Sequence, residues 1–177
     1  MQPRCGGSWS PGVTLGTGVG AGLVLNGQLC SGSFCGAGEI GQMSIHYRGK
    51  PGSYGNTGAQ EKYLGNREVA ARAAALFKAA ALSAAARKGD EVALQVWDQF
   101  ATQLACGLAN CIWLLNPDTV VIGGGLSNAG SPLFVPLRKK LKHQLHRTFG
   151  HKLKIVRARF GNEAGIIGSA AVALERF

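Results

Sequence analysis

The stretch from Val13 to Gln42, VTLGTGVGAGLVLNGQLCSGSFCGAGEIGQ, constrains the fold more than any other part of the chain. Val13-Thr14-Leu15 reads as a short strand that runs into a glycine-rich turn, Gly16 to Gly22. Leu23-Val24-Leu25 reads as a second strand. Asn26-Gly27 then gives the strongest two-residue hairpin signal, because both residues tolerate positive φ, and more strand is expected after it. Glycines at a strand end let the backbone come close to a ligand. Successive free amides there can hold an anion such as phosphate, and Thr17 adds a hydroxyl donor. Two familiar phosphate motifs do not fit. No helix follows the glycines, as a Rossmann turn requires, and no Gly-Lys-Ser/Thr follows, as a Walker loop requires. A phosphate cradle at Gly16, Thr17 and Gly18 and a plain glycine-rich hairpin both remain open on spacing alone.

Downstream, the pattern turns helical. Met43–His46 is expected as a short strand, 47–57 as a Gly/Pro/Asn loop, and Ala59–Leu64 as a short helix. Asn66 can cap an alanine-dense helix from Arg67 to about Lys88, with Gly89 stopping it. Asp90 caps the next. Glu91–Leu115 is the clearest helix, because Trp97, Phe100, Leu104, Leu108 and Ile112 recur every three or four residues and make one apolar face. Pro117 ends it. Thr119–Ile122 is a continuous apolar strand, of the kind buried on both faces of an α/β sheet, closed by Gly123-Gly124-Gly125, where a ligand can lie beyond the strand's carboxyl end. Ser131 is expected to cap a basic helix reaching about Thr148, with Pro132 at its first position. A strand at Leu153–Ala158 and a last helix, Glu163–Glu175, complete an α/β layer pattern.

Four segments, GTGVGAG, GAGEIGQ, NPDTVVIGGGL at Asn116–Leu126 and FGNEAGIIGSA at Phe160–Ala170, stand in the order found in the ROK family of repressors and sugar kinases, which this chain resembles. The resemblance implies the larger, carboxyl-terminal lobe of an actin-like (ribonuclease H-like) fold, a mixed β-sheet with flanking helices. It implies ATP-dependent phosphorylation of a hexose or an amino sugar, with Mg as companion of ATP. It assigns phosphate contact to Gly16, Thr17 and Gly18, the adenosine side to Gly123, Gly124 and Gly125, and sugar contact to Glu39, Gln42 and Glu61.

The chain departs from the family where zinc is normally held. A family His is replaced by Gln42, and three family cysteines by Gly52, Tyr54 and Ala59, so no zinc is expected. A lone His46 does not make a substitute site. The amide of Gln42 can still donate to and accept from a sugar hydroxyl. A non-catalytic sugar-binding module related to the repressors is the alternative reading, although no DNA-binding pattern is present.

Residues 1–12 carry no periodicity and are expected as an unstructured leader to a lobe spanning 13–177. The family places an amino-terminal lobe, with the catalytic Asp, ahead of the glycine turn. The expectation is therefore an incomplete, inactive chain with no catalytic residue of its own. Its three aspartates, Asp90, Asp98 and Asp118, have plainer positions. The apolar last helix would then need cover, from a missing lobe or from further copies of the chain. Net charge is +10, concentrated between Asp118 and Glu163, where no acidic residue occurs. A solvated basic face is preferred there over a nucleic-acid patch. Five cysteines without a CxxC pair, with no signal peptide and no apolar span, suggest reduced thiols in the cytoplasm.

Overall fold

The computed structural model describes residues 9–73, 79–150 and 152–163. A five-stranded mixed sheet in the order β3-β2-β1-β4-β5 is its backbone. Strands β1 (Trp9–Leu15), β2 (Val19–Leu25) and β3 (Gln28–Cys30) form an antiparallel meander. Strands β4 (Thr119–Gly123) and β5 (Lys154–Arg157) add to β1 in parallel. The Asn26-Gly27 turn takes φ of 55° and 79°, the left-handed pair that a twisted two-residue hairpin needs.

The first hairpin is longer than the sequence suggests. Strand β1 begins at Trp9, not Val13, and the open glycine turn shrinks to Gly16–Gly18, because Val19–Gly22 pair with Leu15–Gly12. Pro11 is tolerated because β4 pairs only with Gly12–Thr14, so at Pro11 the strand has a free edge.

Helix α1 spans Glu61–Leu64, α2 Asn66–Ala73 and α3 Ala79–Arg87, and residues 74–78 of the expected long alanine helix lie outside the described residues. Helix α4 (Glu91–Leu115) has the expected bounds. The Asp90 carboxylate accepts from the N–H of Ala93, and Asn116 closes the other end with φ of 45°. The predicted face is the core: Trp97, Phe100, Leu104, Leu108 and Ile112 are all buried. They meet Val13, Leu15, Val120 and Ile122 of the sheet and Leu133, Leu137 and Leu141 of helix α5 (Ser131–Gln144) in one cluster.

Four other expectations are corrected. Met43–His46 is not a strand: it makes a single bridge, Ser44 to Ala59, and then turns away as Gly49 N–H donates to His46 O. Ser131 does not cap α5. Gly130 does, entering at φ 70°, ψ −129°, a backbone that glycine takes without a Cβ clash, and Ser131 is already helical. The helix stops at Gln144, where Leu145 turns extended, and a separate single turn, α6 (Arg147–Gly150), follows. Strand β4 is not buried evenly: Val120 and Ile122 are fully enclosed while Val121 is half-buried among the described residues. The expected last helix lies outside the described residues beyond Glu163.

Candidate functional site

Parallel pairing brings the two glycine segments together. Thr14 lies opposite Gly123, so β1 and β4 end at the same edge of the sheet. Gly124 takes φ 81° with its Cα against the Leu15 carbonyl, where any side chain would collide with backbone. Gly123 and Gly124 are buried and serve this close approach. Only Gly125, half-buried at the start of a 3-10 turn (Gly125–Ala129), is left as a partly open surface. The hydroxyl of Ser127 donates to Gly124 O at 2.7 Å and fixes that turn.

The Gly16–Gly18 turn is held from below. Gly16 O accepts from the N–H of Asn66 at the start of α2, and the Thr17 carbonyl lies against the Cα of Gly65. Space above Gly16 is open, and Thr17 is exposed. Among the described residues the N–H groups of Thr17 and Gly18 have no backbone acceptor. Free amides at a strand end suit an anion.

Glu39 leads a 3-10 turn, Ile40–Gln42, that packs on β2. Two glycines make that possible. The Cα of Gly38 lies against the Ala21 carbonyl and that of Gly41 against the Val19 carbonyl, with no room for a Cβ at either. The buried Ile40 anchors the turn, and Glu39 itself is exposed, its carboxylate without a partner among the described residues.

Glu61 opens α1 and reaches the glycine turn. Its Oε1 accepts from the Ser53 hydroxyl at 3.0 Å, and its Oε2 lies on Gly18, 3.3 Å from where a Cβ would stand. Gln42 is half-buried, and its Oε1 is enclosed without a partner among the described residues. Its backbone carbonyl accepts from Asn56 Nδ2 at 2.8 Å. Thus Glu61 Oε2 stands beside Gly18, and the turn that carries Gln42 packs against β2 through Gly41 at Val19.

The residues at the family's zinc positions do not fit zinc. Gly52 and Ala59 carry no donor, Tyr54 is 80% exposed, and the acceptor left by Gln42 is an amide oxygen, outside zinc's preferred nitrogen, thiolate and carboxylate donors. Among the described residues, no three His, Cys, Asp or Glu side chains gather where a metal could sit. The His46 ring lies stacked beside Tyr47, with centroids 6.4 Å apart.

The sequence missed four contributors. Ser53 and Asn56 look like ordinary loop residues, and their roles depend on folding back over sequence gaps of 8 and 14 residues. Gly65 looks like a helix stop. Gln60 looks exposed, yet it is fully buried against Gly107 of α4 with neither amide atom paired among the described residues. Its neighbour Glu61 is the one the family motif marks.

A three-stranded meander joined by two parallel strands, with glycine turns meeting at their carboxyl ends, defines the actin-like α/β class. The chain belongs to the ROK family, whose model matches residues 9–176. It is 32% identical to a glucokinase of Thermotoga maritima over 93% of this chain and 57% of that protein. It is 35% identical to an N-acetyl-D-glucosamine kinase of Histophilus somni over 93% of this chain and 59% of that protein. The ROK glucokinase of Streptomyces griseus, solved with glucose and AMPPNP, superposes with a TM-score of 0.85 at 27% identity, covering 94% of this chain and 61% of that one. A ROK transcriptional regulator homologous to the E. coli MLC protein superposes at 0.80 and 27% identity, over 89% of this chain and 43% of that one. The chain is thus sugar-kinase-like, and it spans a little over half the length of the curated relatives it matches. No helix among the described residues is long and apolar enough to cross a membrane.

Proposed function

We propose that this chain is the larger lobe of a ROK-type sugar kinase and that it holds a hexose or an amino sugar together with ATP. In this reading Glu39, Gln42 and Glu61 take the sugar hydroxyls. Gly16, Thr17 and Gly18 take the phosphates, with Mg as their counter-ion, and Gly125 with Gly123 and Gly124 borders the adenosine. The observation that carries it is the placement of the Glu61 carboxylate beside Gly18, over the space a side chain there would fill. A sugar-type carboxylate and a phosphate-type turn meet there at one strand end, as transfer from one substrate to the other requires. Relatives named for glucose and N-acetylglucosamine, and a glucokinase solved with glucose and AMPPNP, support the substrate classes.

The same reading leaves the far side of the cleft to a second lobe or to another copy of the chain. The lobe of this proposal takes in strand β1 from Trp9, ahead of the bounds of 1–12 for a leader and 13–177 for the lobe that the sequence suggests. Absence of zinc belongs to it as well. A second reading, a sugar-sensing module without catalysis, is favoured by the likeness to the ROK regulator and by the engagement of Asp90 and Asp98 in structural contacts.

Titration calorimetry with glucose and with N-acetylglucosamine tests the sugar site. A charge-assisted hydrogen bond contributes about 1.5–3 kcal/mol. Glu39→Ala is therefore expected to weaken binding roughly ten- to a hundredfold. Equal affinity in wild type and mutant would remove Glu39 from the site and the reading with it.

A further inference from the structure

We propose that Asn56 is a positioning residue that closes the 50–58 loop onto Gln42 by hydrogen bonds alone, with no metal. The Asn56 side chain is half-buried and faces two ways. Its Nδ2 donates to the Gln42 carbonyl at 2.8 Å, while its Oδ1 is enclosed in the space where a Cβ at Gly52 would fall. The Asn56 backbone carbonyl accepts from Gly52 N–H at 2.7 Å. One residue thus grips both the start of its own loop and the end of the Glu39–Gln42 turn.

This geometry also explains why position 52 has no side chain. The Asn56 amide and a metal-binding residue at 52 compete for one space, so the chain can hold one or the other. Around this centre the loop is closed by Gly58 N–H to Lys50 O at 2.8 Å, Ile45 N–H to Gly58 O at 3.0 Å and Gln60 N–H to Met43 O at 2.9 Å. Ser53, between Gly52 and Asn56, is thereby set to reach Glu61. That the closed loop serves a sugar contact rests on the sugar-site reading above; the closure itself does not.

Hydrogen exchange read by mass spectrometry on the 177-residue chain tests it. Peptides covering 50–60 are expected to exchange alike with a metal chelator, with added zinc chloride and with neither. Asn56→Ala is expected to speed their exchange roughly tenfold, the scale of one hydrogen bond to a buried partner, and to leave α4 peptides unchanged. Asn56→Asp keeps the shape and an acceptor but loses the donor, so it is expected to open the loop as Ala does; a residue that only fills space would be rescued by Asp. The proposal is overturned if Asn56→Ala exchanges like wild type, if Asp restores protection, or if chelation opens the wild-type loop. Glucose titration of Asn56→Asp is the second arm, with weakened binding expected. If wild type binds no glucose, the sugar-site reading fails while the exchange data still decide the loop.

Discussion

Gly38 takes φ of +95° and has the Ala21 carbonyl where a side chain would begin. A left-handed backbone costs an L-residue about 1–2 kcal/mol, before any clash. Gly38→Ala is therefore expected to lower unfolding free energy by about 2 kcal/mol or more in urea melts. Gly36→Ala, two residues away in open space with an ordinary φ, is expected to change it by less than about 0.5 kcal/mol. Equal effects would mean the 38–42 turn does not depend on its contact with β2. The thiol of Cys111 belongs to this scale too. Burial pushes its pKa up, the backbone hydrogen bond opposing, which suits the small apolar side chain expected from its place on the helix. The side chains of His46 and Tyr54, by contrast, are exposed.

Helix α4 is the element on which the rest is packed. Its apolar face could be read from spacing because the period of 3.6 residues is set by the helix itself and needs no partner. Trp97 is 2% exposed and meets Phe100 edge-on, with centroids 5.5 Å apart. Trp97→Ala is expected to cost about 3–5 kcal/mol, the range for emptying a large core site. Val92→Ala, on the outer face at 40% exposure, is expected to cost under about 1 kcal/mol. Denaturant midpoints compare the two, and similar losses would show that the Trp97 site collapses without a cavity. Strand ends were less legible than helix faces. A hairpin's length is fixed by its partner strand, so seven residues of β2 drew Trp9–Gly12 into β1 although Pro11-Gly12 reads as a break. Likewise Met43–His46 pairs with the 58–60 segment through one bridge only, because the chain turns away at His46.

At the scale of the whole molecule, catalysis needs a base for the sugar hydroxyl and both substrates in register. Each of the three aspartates is engaged elsewhere: Asp90 caps α4, Asp98 pairs with Lys140 at 2.9 Å, and Asp118 accepts from Ser10 at 3.4 Å. Loss of a positioned base lowers a rate by about 10²–10⁴. The purified 177-residue chain, as the species defined by sedimentation, is expected to release no ADP above background from ATP with a panel of hexoses. Sugar-dependent turnover that falls with Glu39→Ala would point to a base within this chain. The basic residues between Asp118 and Glu163 remain mostly a surface feature at this scale: Lys140 meets Asp98, Arg138 donates to Ile155 O, and Lys139, Lys152 and Lys154 are exposed. By itself the sequence determined the α/β class, the family and helix α4, because these depend on local period and on motif order. Tertiary structure decided that Gly124 meets Leu15, that the Glu61 carboxylate stands beside Gly18 and that Asn56 holds Gln42. Those contacts join residues far apart in the chain through close backbone approach, and no local pattern encodes which carbonyl will lie against which glycine.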